Sequence, residues 1–309
     1  VPKLSAMYSE PFADSSQIPT YLVSKVARRD VTVSLSGDGA DELFAGYNRH
    51  RLAPAVWNLV GRIPHGLRRA FAKIFDSIPH ETAETIFGLL DPIFPTFFRK
   101  RSATDKIRQI GRVLGAEDGY ELYDQLAADW KQPLEAVRGA ARDDAFEGRS
   151  KLPEVDFQTR LLYYDFVRYL AGDILTKVDR ASMAVSLEAR VPFLDKRVVD
   201  FAWRVPPAFK TRGGRGKLLL REVLYRHVPR EMVDRPKSGF EVPVEQWLRD
   251  GPLRSWAEEL LDPQRLREEG IFEADVVRHY WDEFLRDRRD YRNQIWNVLM
   301  FQSWYEDRK

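Results

Sequence analysis

Cysteine is absent from the 309 residues, which excludes disulfides, thiolate metal sites and a cysteine nucleophile within the chain. That absence is compatible with a reducing compartment and does not demonstrate one. Histidine is scarce, and His50, His65, His80, His227 and His279 are scattered without metal-ligand spacing. No apolar run approaches the ~18 residues that suggest a membrane span, and no signal-peptide pattern stands at the start. A dominant charge sign is lacking too. The formal net charge is +2, which gives no global electrostatic case for nucleic-acid or membrane binding. There is no internal repeat, and no initiator methionine precedes Val1-Pro2, which predicts a fragment of a longer protein. What is present, 44% hydrophobic and 31% charged residues, suits a soluble globular protein, and the length suggests roughly two domains.

The stretch that organises the rest runs from Val31 to Tyr47. Val31, Val33 and Leu35 predict a short buried strand. Ser36-Gly37-Asp38-Gly39 then stops it, and Leu43, Phe44 and Tyr47 fall at helical spacing, with Asp41 and Glu42 at the helix entrance. A strand–turn–helix junction of small residues leaves backbone N–H groups free for a phosphate. Two carboxylates there would repel a bare phosphate and suit a divalent cation shared with it. Local chemistry equally allows Asp38 to close a turn and Asp41 to cap the helix.

Upstream, Ile18, Tyr21, Leu22, Val23 and Val26 form a helical stripe, with Asp14 or Ser15 available as the cap. Helix, strand, helix is half of a parallel α/β unit, and a lone βα pair cannot bury both faces of its strand, so further strands are expected before Val1. Residues 51–150 read as helical and proline-rich, with Arg68-Arg69 and Arg99-Lys100-Arg101 as solvated helix faces and 139–155 as a mobile loop. Residues 157–170 predict an aromatic core helix. From Leu175 to Asp195, Lys177, Asp179, Arg180, Glu188, Arg190 and Asp195 alternate with apolar residues, which fits either a structural ion-pair network or a polar cleft wall. The glycine-rich turn Thr211–Lys217 fails the P-loop spacing, because Thr211 stands where the first glycine should be. A helix is expected through Leu218–Arg226. Lys237, between Pro236 and Ser238-Gly239, could aim an ammonium at developing negative charge, or be an ordinary surface lysine. The remainder reads as helical, with Trp296, Leu299, Phe301 and Trp304 as packing anchors.

Taken together, Ser36-Gly-Asp-Gly-Ala-Asp-Glu-Leu-Phe-Ala-Gly-Tyr47, Lys177-Val-Asp-Arg-Ala-Ser-Met183 with Ser186-Leu-Glu-Ala-Arg-Val-Pro-Phe-Leu-Asp195, and Arg235-Pro-Lys-Ser-Gly-Phe240 resemble the C-terminal synthetase domain of glutamine-hydrolysing asparagine synthetases, over essentially the whole chain. The resemblance implies an α/β, mostly helical fold: the C-terminal part of an adenine-nucleotide α-hydrolase-like (PP-loop) fold with an incomplete parallel sheet. It divides the chain into a partial nucleotide-binding portion, 1–50, and a helical portion, 51–309, that includes cleft-lining motifs at 157–240. The implied activity is that of an ATP-dependent carbon–nitrogen ligase, amidating aspartate through β-aspartyl-AMP with ammonia released from glutamine by an N-terminal glutaminase domain. ATP and Mg²⁺ are the implied cofactors, the compartment is cytoplasmic, no nucleic acid or membrane takes part, and there is room for a homodimer.

Residue by residue, Ser36, Gly37 and Asp38 match the ATP-contacting loop, and Asp38 stands at the acidic position linked to adenylate formation, where many members have glutamate. Asp41 matches the Mg²⁺ ligand, and Lys237 the lysine that stabilises the adenylate or the amination transition state. Glu188 and Arg190 would line or support the cleft. The family's S-G-G-x-D-S pyrophosphate loop and glutaminase cysteine are absent from these 309 residues, so the chain alone is expected to be inactive towards glutamine and to hold an incomplete ATP site. Two other readings compete: a related adenylating enzyme with another acyl acceptor, of the β-lactam or peptide cyclase type, and a non-catalytic scaffold.

Overall fold

The computed structural model describes residues 1–76, 78, 82, 110–128, 130, 135–140, 154–234, 242–287 and 289–309. The expectations for Arg99-Lys100-Arg101, for most of 139–155 and for Lys237 lie outside these residues.

The described chain is mostly helical around one small, open, parallel two-stranded sheet, as an incomplete PP-loop-type sheet requires. It divides into two compact units: Val1–Pro54, Glu147–Val244 and Met300–Lys309 form one, Ala55–Phe146 and Glu245–Leu299 the other.

In the first unit α1 (Gln17–Ala27) leads into β1 (Val33–Leu35), α2 (Ala40–Phe44) and the start of α3 (Asn48–Val60). The expected cap of α1 is replaced by Ser16, which makes no side-chain cap bond. Asp14 instead accepts hydrogen bonds from the Ser16 amide and hydroxyl and pairs with Lys177 at 2.5 Å. β1 pairs in parallel with β2 (Glu188–Arg190), Val33 opposite Glu188 and Leu35 opposite Arg190.

The strand is shorter than the apolar run, and it is not buried: Val33 is 37% and Leu35 75% exposed. A strand with one neighbour has only one paired edge, and among the described residues no second layer covers these side chains. The stripe on α1 is likewise split, with Leu22, Val23 and Val26 exposed.

The aromatic stretch forms one continuous helical rod: α-helix over Phe157–Tyr164, π-helix over Asp165–Leu175 and α-helix again over Thr176–Met183. Leu161, Leu162, Tyr164 and Leu170 are buried in it, but so is Asp165, which makes it a core helix with a charge at its centre. A π segment of this kind shifts the register of side chains and is frequent at functional sites. Lys196–Arg204 and Pro207–Lys210 follow, then Leu218–Leu224, shorter than expected by one turn at most.

In the second unit, Ala257, Leu260, Val277, Trp281, Phe284, Trp296 and Leu299 are buried on the helices Arg254–Leu260, Ala274–Leu285 and Arg292–Glu306; of the four expected anchors Trp296 and Leu299 are buried, while Phe301 and Trp304 are only half-buried. Arg68 departs from the expected solvated face. It is 4% exposed, donates to the Ile63 and Ala116 carbonyls at 3.1 and 2.7 Å, and lies over the Trp57 ring. Buried arginine is tolerated there because its fork meets carbonyls and an aromatic face.

Candidate active site at the end of the parallel strand

β1 delivers its chain to the site through Ser36, whose N–H donates to the Arg190 carbonyl at 2.8 Å and ends the ladder. The Ser36 hydroxyl then accepts from the Asp38 amide at 3.2 Å and donates to the Asp38 carboxylate, so Asp38 folds back on the loop. The helix cap falls to Gly39, at φ +83°, where a Cβ would also come within 2.8 Å of Leu194. Glycine is therefore demanded twice at this position. Gly37, by contrast, is exposed and has nothing near its Cα, which leaves the backbone on that side open to a ligand.

α2 is only five residues long, and Ala45 ends it in a left-handed conformation, φ +59°. The helix expected to run on to Tyr47 stops three residues early. Asp41 sits in its first turn rather than at its cap, and its carboxylate pairs with the Lys217 ammonium at 3.1 Å. That lysine belongs to the glycine-rich turn. Gly213 and Gly214, both at positive φ, make a tight two-residue hairpin between Arg212 and Arg215, which exchange backbone hydrogen bonds at 3.0 Å. Gly216 lies flush on Ala45, where a Cβ would come within 2.1 Å of the Ala45 carbonyl oxygen, and a Cβ on Gly46 would fall 1.7 Å from the Asp41 carboxylate. The spacing of this turn fails the P-loop pattern, yet the turn packs on α2. Its backbone lies against the end of α2, and its Lys217 pairs with Asp41.

Behind the loop lies a cluster that motif reading missed. Glu42 is 1% exposed and accepts the Tyr47 hydroxyl at 2.7 Å, and burial pushes its carboxyl above the usual carboxylate range. Burial, then the Glu42 charge, raises the Tyr47 phenol. Arg49 lies between the Tyr47 and Tyr169 rings, at 4.3 and 4.8 Å from their centroids, and forks onto Asp165 at 2.7 and 2.9 Å. His50 completes the group through Nε2, and burial depresses its pKa, so the neutral ring donates to Asp165. Burial alone would raise Asp165, but the His50 hydrogen bond and the Arg49 charge outweigh it and hold the acid ionised. One signal was available: an aspartate in the middle of an apolar helix must have partners.

Among the sequence-predicted site residues, Ser36, Gly37 and Asp38 lie on the loop after β1 and Asp41 in the first turn of α2. The charges at 175–195 resolve into pairs, one distant in sequence, Lys177 with Asp14, and three local, Arg180 with Asp179, Arg190 with Glu188 and Arg197 with Asp195. Glu188 also lines a small cavity with Leu175, Val178, Asp179 and Ser182.

No three His, Asp or Glu residues gather into a metal cage among the described residues. Mg²⁺ does not need one, since it keeps several waters and takes one or two carboxylates together with substrate phosphates. The half-exposed Asp41 carboxylate fits that requirement.

Comparison with known proteins shows the family of the chain. The asparagine synthase family profile matches residues 1–306. The chain is 32% identical over 305 residues to asparagine synthetase [glutamine-hydrolyzing] 1 of Bacillus subtilis, covering 99% of this chain and 45% of that protein. It is 31% identical over 307 residues to a putative asparagine synthetase [glutamine-hydrolyzing] of Mycobacterium bovis, covering 99% of this chain and 44% of that protein. A more distant relative, the amidase chry2 of Gibberella zeae, is 23% identical over 274 residues, 84% of this chain and 39% of that protein. The chain thus spans a little under half the length of the first two relatives. A family match over residues 1–306, together with 32% identity over 99% of its length, shows that the chain belongs to the glutamine-hydrolysing asparagine synthetase family.

Proposed function

We propose that this chain supplies the synthetase site for ATP-dependent amidation of aspartate. The observation that carries the reading is the Asp41–Lys217 pair set beside the open backbone of Gly37, at the end of a parallel strand. A nucleotide polyphosphate needs both an acid to share a metal with it and a cation to neutralise it, and here one 3.1 Å contact holds the two together.

In the first step a β-carboxylate oxygen of aspartate attacks the α-phosphorus of ATP, and the bond to the pyrophosphate oxygen breaks. Asp41 would be the carboxylate that holds Mg²⁺, which when bound would supply charge neutralisation for the leaving pyrophosphate. Lys217 exchanges part of its contact with Asp41 for phosphate oxygens, Gly37 offers backbone N–H, and Ser36 fixes the Asp38 carboxylate beside the reacting centre. In the second step ammonia derived from glutamine attacks the β-aspartyl carbonyl, AMP departs with the bonding pair, and nitrogen loses a proton. Lys237 stabilises the charge that develops on the adenylate. A glutaminase domain is the source of the ammonia.

The test is production of AMP, pyrophosphate and asparagine by the intact polypeptide given ATP, Mg²⁺, aspartate and glutamine. Asp41→Asn is expected to abolish pyrophosphate release. AMP formation that requires a different carboxylic acid would reassign the acceptor, and wild-type levels of activity in Asp41→Asn would overturn the site.

A further inference from the structure

Arg221 is the point at which the lysine turn is tied to the next loop. It lies one helical turn beyond Lys217, on the helix Leu218–Leu224. Its Nε donates to the Gly216 carbonyl at 3.1 Å, and its Nη1 donates to Oδ1 of Asp234 at 2.7 Å. The Tyr225 hydroxyl donates to the same Asp234 oxygen at 2.7 Å, and Arg215 approaches the other at 3.5 Å. Arg230 lies over the Tyr225 ring at 4.5 Å, and its carbonyl accepts the Asp234 amide at 2.7 Å. The Tyr225 hydrogen bond and the two guanidinium charges keep the Asp234 carboxyl below its ordinary range.

Lys217 needs an external hold, because it is a non-glycine residue at φ +57°. The peptide that joins it to Gly216 is gripped from both ends: Arg221 takes the carbonyl, and the Phe44 carbonyl takes the Lys217 N–H at 2.9 Å. A peptide plane fixed at both its donor and its acceptor sets the direction in which the Lys217 side chain leaves. That direction is towards Asp41. Asp234, the other end of the tie, is the residue immediately before Arg235-Pro236-Lys237 in the sequence.

We propose that Arg221 and Asp234 are positioning residues that lock the Gly216–Lys217 peptide so that the Lys217 ammonium is held beside Asp41 for the departing pyrophosphate. The proposal rests on the adenylation reading above. It predicts that the pair acts through Lys217 and through nothing else in the site.

The experiment uses the intact polypeptide with ATP, Mg²⁺, aspartate and ammonia, and follows pyrophosphate release. Arg221→Met is expected to lower kcat about tenfold with KM for ATP changed less than about twofold, the pattern of a lost transition-state interaction. Asp234→Asn acts in the same direction, and the double variant is no worse than the more damaged single one. Arg221→Lys, which keeps the charge and loses the fork, recovers part of the rate. In a Lys217→Met background both substitutions become silent. A loss that persists undiminished without Lys217, or one confined to KM, overturns the proposal. Tyr225→Phe removes one hydrogen bond with little risk to folding and gives a smaller fall in kcat.

Amide hydrogen exchange supplies the second arm and needs no turnover. Arg221→Met is expected to speed exchange at the Lys217 amide and leave the amides of α1 unchanged. Unchanged protection at Lys217 overturns the clamp whatever the activity. If the wild-type protein releases no pyrophosphate with any acceptor, the adenylation reading fails and the exchange arm alone decides the clamp.

Discussion

Residues 17–50 and residues 245–299 solve the folding problem in different ways. In 245–299 the buried positions are apolar, led by Leu248, Leu260, Trp281, Phe284 and Leu299, and the ion pairs, such as Arg254–Glu258 and Arg267–Asp275, lie at the surface. In 17–50 the pattern is mixed: Glu42 and His50 are buried alongside Leu43 and Phe44, while Leu22, Val23, Val26, Val33 and Leu35 stand in solvent. Buried charge adds little stability against an apolar replacement and is retained where a site needs it, whereas apolar burial is the ordinary source of stability. The comparison separates a region whose buried positions, among the described residues, are all apolar from one that buries charged and polar side chains as well.

The largest expected effect comes from breaking the buried charge. Asp165→Ala leaves Arg49 and His50 without their shared acceptor, and is expected to destabilise the protein by about 3–5 kcal/mol in chemical denaturation. The exposed pair Arg138–Glu273 supplies the control: Glu273→Ala is expected to change stability by under about 1 kcal/mol. Equal losses at the two sites would erase the distinction between the regions.

Next in size is a substitution in the apolar region. Leu248, fully buried, belongs to the helix Val244–Arg249, and Leu248→Ala is expected to cost about 2–5 kcal/mol through lost burial and the cavity left behind. It changes thermal stability without altering KM for ATP, whereas Gly46→Ala is expected to do the reverse. A methyl at Gly46 falls on the Asp41 carboxylate and the Lys217 side chain. Pyrophosphate release is expected to fall at least about tenfold.

How much of this contrast was legible in the residues depends on which force writes the pattern. The helical reading of the C-terminal residues, including the helix Arg292–Glu306 that carries Trp296 and Leu299, follows from its run of apolar and aromatic residues. The loop Ser36–Asp41 is legible because small residues and carboxylates in that order have few other uses. Three features were not. The exposure of Val33 and Leu35 depends on which strands lie beside β1, which no local pattern encodes. The early end of α2 depends on Ala45 taking a positive φ so that Gly216 can lie against it. The Lys217–Asp41 pair joins residues 176 positions apart through a turn whose glycine spacing matches no phosphate-binding pattern. Arg68 and Asp165 failed for a common reason: charge was read as a surface marker or passed over, when its partners were carbonyls, rings and residues distant in sequence.

A smaller effect is expected at Lys210, which is 2% exposed and lies over the Trp203 ring at 5.3 Å. Burial lowers its pKa to about 8, with the Asp156 charge opposing the shift. Its folded pKa lies below the unfolded one, so the unfolded chain binds more protons between about pH 8 and 10, and stability should rise with pH across that window. Lys210→Met removes the buried ammonium. It is expected to raise the melting temperature at pH 7 and to flatten that rise, and a melting curve whose alkaline slope is unchanged in Lys210→Met would sink this assignment.

The smallest effect tests the exposed face itself. Leu35 has no side-chain layer above it, so Leu35→Thr exchanges one solvated strand residue for another of good strand propensity. In the 309-residue chain the change in stability is expected to stay within about 0.5 kcal/mol, the range of surface substitutions away from special features. The same substitution at a buried position would forfeit the burial of a leucine, about 1.5–3 kcal/mol. A loss of that larger size at Leu35, measured by urea denaturation, would mean that the strand is covered in solution. The contrast between residues 17–50 and 245–299 would then narrow to their buried charges alone, because the open sheet face would have acquired the same apolar logic as the C-terminal helices.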